Sequence, residues 1–303
     1  MKIKIIPLLL CSVMLLSFSP SALLESTHNN EGIMTFRFFD VPEIVTKIGD
    51  CSFIQFPNGE TMLIDAFIAN AAPYVVEDLK ALGVTRIDYL VVSHYHGDHI
   101  GGMPAFMDNF EIGGVYTSGL HVYTTSGLNL LSKMEEMGLE EHILRQGDVL
   151  QVGDVDIQIL NPDVTDEVMA AFESGEVPSD AAVNVQSLVM KFIYKDFTAL
   201  FTGDVYDKAE RWLMDKYGDE LHVMLFKAPH HGSYTSSGAR FLRTINPQYV
   251  VAIGNVGVVG GKNKYMRIGA EAVYYTYMDG TVVATTDGKT VTFEANKEAK
   301  QQP

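Results

Sequence analysis

The stretch Val91–Pro104, VVSHYHGDHIGGMP, places four metal-binding side chains within six positions: His94, His96, Asp98 and His99. It overlaps the end of the apolar run DYLVVS (Asp88–Ser93), which reads as a strand buried on both faces. Residues two apart on extended backbone point the same way, so His94 and His96 can share one ion. Gly97 permits a sharp turn that swings Asp98 and His99 toward a second ion. Imidazole and carboxylate hold zinc, manganese or iron without thiolate. A solvated polar loop, the plain alternative, rarely concentrates ligands at this density.

Two further stretches carry ligand types at the ends of apolar runs. LFTGD (Leu200–Asp204) ends a strand pattern in Gly-Asp, and one carboxylate with two oxygens can bridge two metals. Alone, that pair reads as a turn. KAPHHGSYTS (Lys227–Ser236) places His230 and His231 after a strand, with Gly232 allowing close backbone approach to a ligand. Coupled to the first two stretches, one of these histidines is a ligand candidate.

Around these motifs the pattern is mixed. MTFRFF (Met34–Phe39), SFIQF (Ser52–Phe56) and TMLIDAF (Thr61–Phe67) read as strands, the last two joined by the turn PNGE. NAAPYVVEDLKALG has a helical period and stops at Gly83; TTSGLNLLSKMEEMGL and KAERWLMDKYG are helical too. DVDIQIL (Asp154–Leu160) is a strand, and NPDVTDEVMAAFESGEVPSD a surface loop or short helix. VQSLVMKFIY and FTALFTGD form a second hairpin pattern around Lys195–Asp196. HVMLFKAP, PQYVVAIG, GAEAVYYTYM, TVVATTDG and KTVTFEA follow. Hairpins followed by interleaved helices, repeated once, predict an α/β fold: two mixed sheets with helices outside, a four-layer αββα sandwich. One domain is expected over residues 34–296, with a polar tail at 297–303.

The chain has 303 residues and a formal net charge of −16. That charge gives no long-range attraction to nucleic acid or anionic membranes. Lys2 and Lys4, the apolar run IIPLLLCSVMLLSF and the small residues after it read as a bacterial-type secretory signal peptide over residues 1–24. A secreted or extracytoplasmic protein with no membrane span after cleavage is expected. Removal of Cys11 with the leader leaves Cys51 alone, so no intrachain disulfide forms, and Cys51 reads as a small buried apolar residue.

Together the three motifs resemble the metallo-β-lactamase superfamily, whose fold is the αββα sandwich. HYHGDH matches its H-x-H-x-D-H, and Asp204 its later metal-bridging aspartate. Finer details resemble the hydrolase domain of ComEC-type competence proteins and the related bacterial phosphorylcholine esterases. These are IGDCSFIQFPNGETMLIDAF (Ile48–Phe67, with Asp65 at the expected place), then DHIGGM, NVQSLVMKF, LFTGD, KAPHHGSYTSSG and the closing TVVATTDGKTVTF. The likeness runs over residues 34–294.

The resemblance implies a binuclear metal-dependent hydrolase. His94 and His96 are expected to hold one ion, Asp98, His99 and His231 the other, with Asp204 bridging. Two ions would lower the pKa of a shared water toward neutrality, making the bridging hydroxide that attacks. Asp98 and His230 are the candidates for proton transfer or oxyanion contact. Zinc is the first expectation and manganese the second.

Three departures from the pattern matter. The histidine that most members place before the bridging aspartate is missing, and Asn184 lies near its place. The ComEC-type branch lacks it too. One ion is thereby short of protein ligands, with water, Asn184 or a substrate oxygen as candidates. Phe67 replaces a usual glycine and is expected to narrow the mouth of the site. YMRI (Tyr265–Ile268) replaces a Y-G-H-P loop, leaving Arg267 as a candidate partner for phosphate. Ser233 joins Asn184 and Arg267 as a substrate-binding candidate.

Branch resemblance implies a phosphodiester substrate. A small or cell-wall phosphodiester, such as phosphorylcholine on a polymer, suits the charge better than long nucleic acid. β-Lactam or lactone hydrolysis is the alternative chemistry. A non-catalytic metal-binding surface protein is the third reading.

Overall fold

The computed structural model describes residues 32–42, 49–254 and 263–296. The leader with Cys11, the tail at 297–303 and Gly261–Lys262 lie outside the described residues. The strands in chain order are β1 Met34–Phe38, β2 Ser52–Gln55, β3 Thr61–Ile64, β4 Arg86–Val91, β5 Glu111–Thr117, β6 Glu141–Ile143, β7 Val149–Val152 and β8 Val155–Asn161. They continue with β9 Val189–Tyr194, β10 Phe197–Phe201, β11 Leu225–Lys227, β12 Tyr249–Ala252, β13 Ala272–Tyr275, β14 Thr281–Thr286 and β15 Val291–Asn296.

Two mixed sheets result, as expected. The first has the order β15-β14-β1-β2-β3-β4-β5-β6 and the second β13-β12-β11-β10-β9-β8-β7. β3 to β6 run parallel, as do β10 to β13, and the other pairings are antiparallel. The sheets meet face to face through aromatic rings. Phe36 of β1 lies 5.8 Å from Phe192, edge to face, and 5.9 Å from Phe201, stacked. β1 alternates cleanly, with Met34, Phe36 and Phe38 buried and Thr35 and Arg37 half-exposed.

Helices cover the outer faces. In α1 (Ala72–Ala81) the buried residues Ala72, Val75, Val76 and Leu79 fall at i, i+3, i+4 and i+7, one face of a helix. Pro73 sits in its first turn, where the missing N–H costs nothing. Next come α2 (Gly97–Ile100), α3 (Met103–Asn109) and α4 (Thr125–Met137). α4 starts where the Thr124 side chain accepts from the Gly127 N–H, and it stops at Gly138 in the left-handed region. The acidic stretch forms α5 (Asp166–Glu173), capped by Thr165, and α6 (Asp180–Val185), capped by Ser179. α6 corrects the expectation of a strand from Val185, since β9 begins only at Val189. On the second sheet, α7 (Asp207–Tyr217) and α8 (Ala239–Ile245) bury Leu213, Phe241 and Ile245 against Phe226 and Val250 in a separate core.

Candidate metal centre

Open α/β sheets present ligand sites beyond the carboxyl ends of their parallel strands. Here both sheets present such ends to one place. Asp65 follows β3 and Ser93–His99 follow β4 in the first sheet. Asp204 follows β10, and His230 and His231 follow β11, in the second. The cluster therefore straddles the seam between the sheets.

The turn after β3 ties the loops together. Asp65 N–H donates to Val91 O at 2.9 Å, Ala66 N–H to His99 O at 2.7 Å, and Phe67 N–H to Asp50 O at 2.9 Å. Asp65 and Phe67 take φ of 59° and 60°, a region that favours glycine. Phe67 does not narrow the mouth of the site as expected, because its side chain is wholly buried in the inter-sheet core.

Gly97 also differs from expectation. His96 is extended (φ −81°, ψ 147°), and the chain then enters the helical turn α2, which carries Asp98 and His99. The helical turn, not a glycine-only conformation, re-aims these two ligands. What a side chain at Gly97 would meet is Ser126 Oγ, at 3.1 Å. Gly232, at φ 78°, is confined by the ring of Tyr275, 3.0 Å from where a Cβ would stand.

Four imidazoles converge, and His94, His99 and His231 have their far nitrogen held by a hydrogen bond. His94 Nδ1 lies 3.0 Å from Ser93 Oγ. His99 Nδ1 lies 2.8 Å from Asp65 Oδ2, and His231 Nδ1 3.0 Å from Asp50 Oδ1. His96 Nε2 faces Asp180 Oδ1 at 3.5 Å. The near nitrogens then point inward. His94 Nε2 and His96 Nδ1 approach to 3.0 Å, while His99 Nε2 and His231 Nε2 lie 3.2 and 3.5 Å from Asp204 Oδ2. Asp98 Oδ2 is 3.6 Å from His231 Nε2. Partners on the outer nitrogen fix tautomer and ring orientation in metal-binding histidines.

Asp204 is buried and well supported. Its N–H donates to Ser187 Oγ at 3.1 Å, and its Oδ1 accepts from the His230 N–H at 3.2 Å. Burial opposes its charge, but His99 and His231 outweigh that and hold the carboxyl well below its usual range. Asp98 is likewise held low against burial, by the neighbouring His231 and His99 imidazoles. Burial, together with His99, presses His94 well below the usual imidazole value. His94 is thus neutral near pH 7, the form that ligates metal.

His230 turns away from the cluster. Its Nδ1 lies 2.5 Å from Thr235 Oγ1, and its ring packs on Tyr206 at 5.1 Å. Ser233 Oγ accepts from the Thr235 hydroxyl at 3.1 Å within the same loop. Asn184 is buried on α6, the helix whose Asp180 faces His96, and its Oδ1 has no hydrogen-bond partner among the described residues. Arg267 is exposed, and its recorded hydrogen bond is from its backbone N–H to Asn263 O. The residue of that stretch that reaches the HHGS loop is Lys264, whose Nζ donates to Ser233 O at 3.0 Å and Ser236 O at 3.1 Å.

Sequence reasoning missed Asp50, Lys227 and Asp180. Asp50 sits behind His231, and Lys227 Nζ is in direct contact with its other oxygen. Ligand atoms of Asp50, His99, Asp204 and His231 lie within 4.8 Å of one another. Both Asp50 oxygens are engaged, however, which makes Asp50 an outer partner of His231. Cys51 is buried and its thiol is pushed up by burial, so it offers no thiolate.

The donor set fits divalent ions. Nitrogen and carboxylate oxygen converge without thiolate, and His231 Nε2 is buried with no hydrogen-bond partner among the described residues.

Comparison with known proteins agrees with this geometry. Residues 45–254 match the Metallo-beta-lactamase superfamily. The chain is 26% identical over 228 residues to competence protein ComA of Neisseria gonorrhoeae, covering 73% of this chain and 29% of that protein. It is 25% identical over 185 residues to ComE operon protein 3 of Bacillus subtilis, covering 61% of this chain and 21% of that one. The chain thus matches under a third of the length of either relative. The metallo-beta-lactamase fold protein YhfI of Bacillus subtilis superposes with a TM-score of 0.53 at 12% identity, over 86% of this chain and all of that one, which speaks for the fold alone. With the family match spanning most of the chain and its motifs meeting in one cluster, this protein belongs to the metallo-β-lactamase superfamily of metal-dependent hydrolases.

Proposed function

We propose that the protein is a secreted hydrolase that uses two divalent ions, zinc first and manganese second, to cleave phosphodiester bonds. The observation that carries the metal reading is the convergence of four imidazoles, three of them held at the outer nitrogen by Ser93, Asp65 and Asp50. His94 and His96 would hold one ion, and Asp98, His99 and His231 the other, with Asp204 between them. Such ions supply Lewis acidity and a water acidic enough to ionise near neutral pH.

The chain's own groups do the rest. Asp98, with its side chain 39% exposed, is the cluster carboxylate that an incoming substrate meets. His230 is half-buried at the rim with Nδ1 taken by Thr235, which leaves Nε2 as the ring nitrogen for contact with an incoming substrate. The His230 N–H holds the Asp204 carboxylate at Oδ1, and Ser187 Oγ fixes its backbone N–H.

Resemblance to the ComEC-type branch supports a phosphodiester over other bonds. Similarity to competence protein ComA and ComE operon protein 3 agrees with that branch, without extending their whole activity to this shorter chain. The nearby lysines are engaged, Lys227 by Asp50 and Lys264 by loop carbonyls. An anionic substrate would therefore be received by the ions. The net charge of −16 supports a small or cell-wall phosphodiester over a long nucleic acid. No helix among the described residues is long and apolar enough to cross a membrane. Secretion rests on the leader pattern of residues 1–24.

The test is hydrolysis of an aryl phosphodiester by metal-stripped protein reloaded with zinc or manganese, beside Asp98→Ala. Metal-dependent turnover lost in the variant supports the reading. No turnover with both ions bound would overturn it in favour of lactams, lactones or a binding role.

A further inference from the structure

Asp50 and Lys227 form a buried ion pair that joins the two sheets. Asp50 lies just ahead of β2 in the first sheet, and Lys227 ends β11 in the second. Both side chains are under 5% exposed. Asp50 splits its oxygens: Oδ1 meets His231 Nδ1 at 3.0 Å, and Oδ2 is in contact with Lys227 Nζ.

The loop that carries Asp50 is fixed from a third side. Asp50 N–H donates to Asp98 O at 3.2 Å. Gly49, at φ 77°, lies so close that a Cβ there would collide with the Asp98 carbonyl. Asp50 and Asp65 also line one small cavity of about 10 Å³, with Ser93 and Lys227 and the apolar Ile64, Met190 and Phe201. The outer partner of His231 is thus built as firmly as the outer partner of His99.

We propose that Asp50 is a positioning residue for His231, and that Lys227 anchors Asp50 for this task across the seam between the sheets. With Nδ1–H held by Asp50, His231 keeps its Nε2 lone pair aimed at the space shared with Asp98 and Asp204. Lys227 takes the second oxygen, which keeps Asp50 turned outward and out of the ion-binding set. This rests on the metal reading of the site.

The test uses the metal-free full chain titrated with cobalt(II), followed by absorption and by competition with a chromophoric chelator. Asp50→Asn/Lys227→Met removes both charges and keeps an acceptor for His231. Asp50→Ala/Lys227→Met removes the acceptor as well. Neither leaves an unpaired buried charge. The expected result is two ions bound by wild type and by the Asn/Met variant. In the Ala/Met variant one binding step should weaken about 10–100-fold, as for other lost outer partners. Lys227→Met alone should weaken the same step.

Identical binding by the two double variants would overturn the role of Asp50, as would equal loss of both steps or failure of both variants to fold. Unchanged binding in Lys227→Met, or loss of its fold, would overturn the role of Lys227. Failure of wild type to bind cobalt(II) would instead remove the metal reading itself.

Discussion

Asp65 accepts twice from Ser93, from its N–H at 2.8 Å and from its hydroxyl at 2.6 Å, while holding His99 Nδ1 at 2.8 Å. The same hydroxyl lies 3.0 Å from His94 Nδ1. One carboxylate therefore governs a histidine on each side of the proposed ion pair. Asp65→Ala should weaken both metal-binding steps by about 10–100-fold each, measured by chelator competition. Loss of only one step would show that Ser93 orients His94 without Asp65.

Removing metal should lower stability. Asp98 and Asp204 are carboxylates beside imidazoles at the seam between two sheets, and ions bound only by the folded state add free energy by mass action. At 100 times Kd one site adds about 2.7 kcal/mol. For a chain of this size that is a fall in Tm of roughly 5–10 °C with excess chelator. Scanning calorimetry before and after reloading checks it, and an unchanged Tm would count against a preformed site.

His230 stands outside the cluster but at its rim, so its loss should separate chemistry from metal binding. His230→Ala should keep both ions and lose about 10²-fold or more in kcat toward an aryl phosphodiester. His231→Ala should lose an ion. Metal analysis beside steady-state kinetics distinguishes the two, and loss of metal in His230→Ala would reverse the assignment.

Glu210 supplies a pH test away from the site. Its carboxylate accepts from the N–H groups of Ser237 and Gly238, just ahead of α8. Burial raises its pKa despite those hydrogen bonds. A carboxyl that holds its proton more tightly when folded makes stability fall as pH rises, from the unfolded pKa through the folded one. Urea unfolding of the metal-free protein and of Glu210→Gln from pH 4 to 7 should show this decline as the difference between the two profiles, with wild type losing stability relative to the variant as pH rises.

The first four candidate ligands were legible as a cluster because their spacing is local: a strand followed by one helical turn carries them all. Asp204 and His231 were legible as glycine-flanked polar residues after apolar runs, once tied to the first motif. Asp50 and Lys227 were not, because their meaning lies in a contact across 177 positions, and GDC alone reads as a turn. β5 was missed because EIGGVYT carries two glycines, which weaken any strand pattern. Those glycines fit where a side chain would collide with Asp88 O at 2.5 Å and His142 at 2.9 Å. Asp180 was hidden by an acidic stretch whose helix start depends on the Ser179 cap.

The placement of the cluster on the seam also orders events in time. His94, His96, Asp98 and His99 leave one sheet, and Asp204 and His231 the other, so neither half alone presents the full donor set. On the proposed metal reading, the complete donor set exists only once the two sheets have docked, and bound ions would act as a latch on the finished fold.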